Sequence, residues 1–195
     1  DTILSVTLGL EFVKDQGTVH VNAYAGYEIL RYLEFDDNDS ENLKSNFELS
    51  FPETEDRSLL HLTLFGGYNE SAEANEIEGQ ITESADLNVG GAASYYISDR
   101  TGLAAGADYL DSQAETAGFF DREEWSATAG LFYDYSEALA LNLDVRYRTT
   151  TVEDADNPND SEDYALIGGA EGQLTGNLTG IAEAGIQQRE FDQDD

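Results

Sequence analysis

The chain has 195 residues, with 41 Asp and Glu against 9 Lys and Arg and a formal net charge of −32. That balance argues against nucleic acid, whose phosphates need Lys and Arg, and against a polybasic contact with anionic lipid headgroups. There is no Cys, which excludes disulfides, thiolate nucleophiles and zinc–thiolate sites, and two His are too few for a multi-histidine metal site.

Hydrophobic residues make up 40% of the chain, so the composition is not that of a disordered protein. No run of about 18 apolar residues is present, which rules out a transmembrane helix. The dominant signal is alternation with period two, the mark of strands.

Ten segments alternate. Thr2–Lys14 places Leu4, Val6, Leu8, Leu10 and Phe12 on one face and turns at "DQGT". Val19–Glu34 keeps Val19, Val21, Ala23, Ala25 and Tyr27 in phase, and the loop "DDNDSEN" follows. Leu43–Phe51 carries Phe47, Leu49 and Phe51 and turns at "PETEDRS". Leu59–Asn69 has Leu60, Leu62, Leu64 and Tyr68, followed by "ESAEANEIEGQ". Ile81–Ile97 shows Leu87, Val89, Ala93 and Tyr95 and turns at "SDRT". Gly102–Leu110 has Leu103, Ala105, Ala107 and Tyr109 before a longer loop. Glu124–Tyr135 carries Trp125, Leu131, Tyr133 and Tyr135 and turns at "SEA". The eighth segment alternates Leu139, Leu141, Leu143, Val145 and Tyr147 with Asn142, Asp144, Arg146 and Arg148, then runs into "EDADNPNDSED". Asp163–Leu174 and Leu178–Phe191 complete the set around "TGN".

Turns after odd segments are short; loops after even segments are longer and acidic. Tyr27, Tyr68, Tyr109 and Tyr147 recur at spacings of 41, 41 and 38 residues, each where an even segment meets its loop. A repeat near 40 residues also suits a propeller, but a blade needs four short strands and each repeat here offers two long ones.

Strand length decides more. Strands of soluble proteins average about 5–6 residues, and these run to about twice that. An 11-residue strand spans roughly 36 Å at ~3.3 Å per residue. Tilted by ~40°, it matches the ~25 Å apolar band of an outer-membrane barrel. Tyr27, Tyr68, Tyr109 and Tyr147 then form an interfacial girdle at one end, with Phe51, Tyr95, Tyr133 and Tyr135 at the other. The expected fold is all-β, an antiparallel up-and-down transmembrane β-barrel seen as one domain over 1–195. The competing reading is a soluble acidic β-sandwich or solenoid, whose strands also alternate.

Three stretches carry a family likeness: "LNVGGAASYYISDRTGLAAGADY", "ATAGLFYDYSEALALNLDVRYRTT" and "LIGGAEGQLTGNLTGIAEAGIQQREF". They resemble the β-barrel porin 2 family of outer-membrane proteins, some of them encoded with exopolysaccharide gene clusters. The family hallmark is close to "GLxGQLTxKLxGxxxxGYQRREF". It is met here by Gly172, Gln173, Leu174, Thr175, Leu178, Gly180, Gly185, Gln187, Arg189, Glu190 and Phe191. The departures are Asn177, Ile186 and Gln188. The resemblance implies the outer membrane of a Gram-negative bacterium, contact with lipid and lipopolysaccharide, and a porin-like conduit or a component of exopolysaccharide secretion. Family members are generally longer, and this chain begins and ends on the long-loop side. Further strands are therefore expected before Asp1 and after Asp195.

If the Leu and Tyr parity faces lipid, the other parity lines a lumen. That parity carries Glu28, His61, Asp86, Asp108, Asp144, Arg146, Arg148, Glu171, Glu183 and Arg189. Acids outnumber Arg, so a cation preference is expected, unless the charges pair across strands and plug the barrel.

The acidic loops offer hard oxygen ligands for Ca or Mg: Asp36, Asp37 and Asp39 in one, and Asp154, Asp156, Asp160, Glu162 and Asp163 in the other. Neither has EF-hand spacing, and solvated charge runs are commoner. Such loops also suit an interaction barrel packed beside neighbouring barrels in a surface assembly. Enzymatic chemistry finds no support: no G-x-S-x-G is present. His20 and His61 lie on next-but-one strands, with Ser45 between them on the opposite parity.

Overall fold

The computed structural model describes residues 3–32, 39–52, 60–74, 81–114, 120–136, 138–153, 160–175 and 178–191. Its regular structure is ten strands. They are β1 (Ile3–Gln16), β2 (Val19–Tyr32), β3 (Ser40–Phe51), β4 (Leu60–Ala74) and β5 (Ile81–Tyr96). β6 (Thr101–Ala114), β7 (Arg122–Ser136), β8 (Leu139–Val152), β9 (Ser161–Thr175) and β10 (Leu178–Phe191) follow. Each pairs antiparallel with its sequence neighbours, so the sheet order runs from β1 to β10 without a crossover. This is the up-and-down arrangement expected from the alternation. β1 and β10 are not paired with each other, so the described sheet has two open edges.

Register carries one parity of every strand onto one face. Leu8 lies opposite Tyr27, and Tyr27 opposite Leu43. Leu103, Leu131 and Leu143 are successive partners, as are Val145, Leu166 and Ile186. A slip of one residue in any strand would put its apolar set on the charged side.

No apolar side chain is buried among the described residues; Leu10 is 82% exposed and Ile186 74%. The accessible surface is 13421 Å², whereas a compact soluble chain of 21.3 kDa exposes roughly 9,100 Å². The sheet therefore has no core of its own, unlike a sandwich, in which two sheets cover each other's apolar faces.

The turns follow from local chemistry. Gly17 has φ of 90° and opens the two-residue turn between Gln16 and Val19, a conformation that glycine adopts without a Cβ penalty. The connections after β5, β7 and β9 are also short. Residues 52–59, between β3 and β4, are the exception to the short-turn rule. On the long-loop side β3, β4, β6, β7, β8 and β9 extend beyond the alternating segments, because polar residues continue the ladder without a hydropathy signal.

Small residues let rings from neighbouring strands lie flat on the sheet. The Phe65 ring covers Gly90, where an added Cβ would sit 2.5 Å from Phe65 Cζ and 2.8 Å from Asp108 Cβ. At Gly168 the nearest atom would be 3.9 Å away. Gly90→Ala should therefore destabilise by about 1–3 kcal/mol through overpacking. Gly168→Ala should be neutral or stabilising by up to about 1 kcal/mol. Urea unfolding in detergent checks both; equal effects at the two positions would contradict the packing.

Candidate functional site

The face opposite the apolar stripe gathers the chemistry. Glu28 on β2, His61 on β4, Asp86 on β5 and Asp108 on β6 all lie on it. So do Asp144, Arg146 and Arg148 on β8, Glu171 on β9, and Glu183 and Arg189 on β10. By register these ten residues share one face of the sheet.

The structure brings only some of them together. Asp163 of β9 stands between Arg148 of β8 and Arg189 of β10 in register. Its carboxylate is 4% exposed. It accepts from Arg148 Nη2 at 2.8 Å, from Arg189 Nε at 2.6 Å, and from Gln187 Nε2 at 2.9 Å. Arg148 also lies 3.7 Å from Glu124 of β7. Farther along the sheet, Lys44 pairs with Glu28 at 2.9 Å.

Asp86 and Asp108 are held differently. Each accepts a hydroxyl from the next strand, Ser112 and Ser126 respectively, at 2.6 Å. Neither forms an ion pair among the described residues. Asp144 accepts from Asn142 of its own strand. Arg146, Glu171 and Glu183 make no hydrogen bond or ion pair with other described residues.

At the short-turn end the same face carries rings. Tyr96 meets Phe132 edge-on with centroids 4.9 Å apart, and His61 at 6.4 Å. Beside them a cavity of about 520 Å³ is lined by Tyr96, Asp134, Glu171, Gln173 and Thr179. Register shifts between Asp134 and Ser136 and between Leu178 and Thr179 flank it. His20 contacts Asp15 near the first turn and lies opposite Ser50 in register.

On the apolar face, Tyr27, Tyr68, Tyr109 and Tyr147 all lie toward the long loops, and Tyr95 and Tyr133 toward the short turns. Tyr109 packs on Trp125 with centroids 4.5 Å apart, and Tyr147 on Tyr164 at 5.0 Å. Their row meets a row of carboxylates. Tyr27 donates to Glu41, Tyr68 to Glu70 at 2.7 Å, and Tyr164 to Glu162 at 2.8 Å. Trp125 and Tyr164 thus join the girdle that the tyrosine spacing alone outlined.

The acidic loops are only partly in view. Asp36, Asp37, Asp154 and Asp156 lie outside the described residues. Asp39 accepts the Tyr32 N–H at 2.8 Å, and Asp160 accepts the Val152 N–H at 2.9 Å. Asp121 accepts the Ala114 N–H at 2.8 Å in the same way. These acids close their loops by accepting from the last residue of the preceding strand. Among the described residues no three His, Asp or Glu are grouped to hold a metal ion. Glu162 and Asp163, grouped by sequence with loop ligands, belong to β9. Parity finds Asp163: it stands eight residues before Glu171 and shares its face. Lys44 and Glu124 were not singled out in the sequence, because each needs the cross-strand register to gain a partner.

Replacing Asp163 with Asn would leave two guanidinium groups facing each other. Both are partly exposed, so the expected cost is about 3 kcal/mol, the low end for stripping a partner from a buried pair. Lys44→Met should cost less than about 1 kcal/mol, as for an exposed pair. Chemical unfolding of the two variants measures the difference.

No family model matches the chain, and no curated protein matches it. Among solved structures it is similar to in-vitro folded OmpT, an outer membrane protein of Vibrio cholerae. The TM-score is 0.64 at 15% identity, covering 93% of this chain and 53% of that one. The chain therefore spans about half the length of the solved structure it matches. At that identity the likeness establishes the fold, an up-and-down antiparallel sheet of the kind found in an outer-membrane β-barrel.

Proposed function

We propose that the chain builds the wall of an outer-membrane β-barrel and that its polar face lines a conduit preferring cations. Two features support the membrane reading. The apolar face is uncovered, and girdle rings bound it at both ends. From Trp125 to Tyr133 the β7 stripe covers eight steps, roughly 26 Å along the strand at ~3.3 Å each. A ~40° tilt makes that roughly 20 Å tall, near the band of such barrels.

One observation carries the selectivity: Asp86 and Asp108 have no cationic partner among the described residues, and each is fixed by a serine hydroxyl. Fixed, uncompensated carboxylates on a water-filled wall attract cations and repel anions. The paired charges around Asp163 contribute structure instead.

A second reading rests on the cavity at the short-turn mouth. Tyr96 and Phe132 beside Asp134, Glu171 and Gln173 form the mixture of ring faces and hydrogen-bonding groups that suits a polyhydroxylated solute. A polysaccharide-secretion role fits that surface.

Planar-bilayer recording under a KCl gradient tests the proposal. A reversal potential on the cation side is expected, moving toward zero in the Asp86→Asn, Asp108→Asn double variant. No conductance, or anion selectivity, would overturn the conduit. A neutral oligosaccharide added to the same bilayer should block current only if the second reading holds.

A further inference from the structure

The β3–β4 ladder is the shortest in the sheet. It runs from Phe51 opposite Leu62 to Lys44 opposite Asn69, and stops. β3 continues on its β2 side as far as Ser40, opposite Leu30. β4 continues on its β5 side as far as Ala74, opposite Ile81. Residues 40–43 and 70–74 are thus two strand edges with no ladder between them. Glu70 stands at the fork. Its Oε2 accepts from the Leu43 N–H at 2.8 Å and its Oε1 from the Tyr68 hydroxyl at 2.7 Å. A side-chain carboxylate takes the place of a ladder carbonyl.

The split is a cavity of about 390 Å³. Ser40, Asn42 and Ser71 line it with the parity of the polar face; Arg31, Glu41 and Glu70 line it with the parity of the apolar face. Side chains of both parities share one cavity only where the wall is open from face to face. Ser40 is 8% exposed, and its Oγ has no hydrogen-bond partner among the described residues. A buried hydroxyl left unbonded is costly and calls for an occupant.

We propose that this split is a side portal that takes the cationic head group of an amphiphile. The proposal rests on the membrane reading of the apolar face and goes beyond the conduit. Charge selects the head: the guanidinium of Arg31 is already held by Glu41 at 2.8 Å and Asp39 at 3.5 Å. Asp39, Glu41, Glu70 and Glu83 all border the cavity against that single cation. Position selects the tail: directly below the fork, Tyr27, Leu43, Tyr68 and Leu87 are adjacent on the apolar face. An alkyl chain lying there places its head in the split, at the level of the girdle.

The chain has no Cys, so Ser40→Cys puts a single thiol in the cavity. The full chain is inserted into neutral phosphocholine vesicles, with insertion checked by heat-modifiable gel migration. The thiol is then labelled with a cationic methanethiosulfonate. Dodecylammonium, whose head carries N–H donors, should slow labelling roughly tenfold at ten times its Kd, by mass action. Methylammonium and dodecyl sulfate should not slow it. Glu41→Gln with Glu70→Gln should remove the protection. A chain that fails to insert overturns the membrane reading, and the portal with it. An inserted chain whose thiol labels only after denaturation, or is protected equally by dodecyl sulfate or methylammonium, overturns the portal alone.

Discussion

A ten-stranded sheet that buries no apolar side chain must find its apolar contacts outside itself. That constraint governs the rest of the molecule. The strands are joined by backbone ladders, which satisfy N–H and C=O groups whatever the solvent. The apolar stripe gains nothing from the ladders. Burial stabilises by about 25 cal/mol per Å² of apolar surface, and within the described sheet none of that is realised at Leu8, Leu10 or Ile186. On the proposed membrane reading a hydrocarbon solvent supplies it, and in such a solvent only helices or closed sheets keep every backbone group paired. On that reading the open edges at β1 and β10 need partner strands.

The polar face obeys the complementary rule. Among the described residues charges there sit in three states: compensated, as Asp163 between two arginines; fixed but uncompensated, as Asp86 and Asp108; and unpaired, as Arg146. The first state ties β8, β9 and β10 together near the long loops. On the proposed conduit reading the second gives the wall its sign. The girdle joins the two faces, since the Tyr27, Tyr68 and Tyr164 hydroxyls donate to carboxylates that stand just above the apolar band. Each ring thereby keeps its apolar body below and its polar end in a wet, charged zone.

Much of this was legible as parity. A strand such as Leu139–Val152 announces both faces at once, because Leu, Val and Tyr occupy one register and Asn, Asp and Arg the other. The face of every assigned polar residue follows from that count alone. What parity does not carry is partnership. Arg148 and Asp163 are 15 residues apart and meet only because β8 and β9 pair in one particular register. Strand ends are also hidden where both faces are polar, as in Asp111–Ala114 or Ser40–Asn42. Asp39 and Asp160 accept backbone N–H groups with the same carboxylate chemistry a cation ligand would use, so sequence alone does not separate the two roles. The β3–β4 split is invisible in sequence, since residues 40–42 and 70–74 read there as loop and only the structure makes them strand.

The central claim is that the Leu and Tyr parity faces lipid. Trp125 is the only tryptophan in the chain, lies on that parity beside Tyr109, and is 56% exposed. Its fluorescence in vesicles therefore reports the face directly. The account predicts strong quenching by lipids brominated near the headgroup, weaker quenching by lipids brominated near the chain end, and little by aqueous iodide. Quenching by iodide with no response to brominated lipid would contradict it.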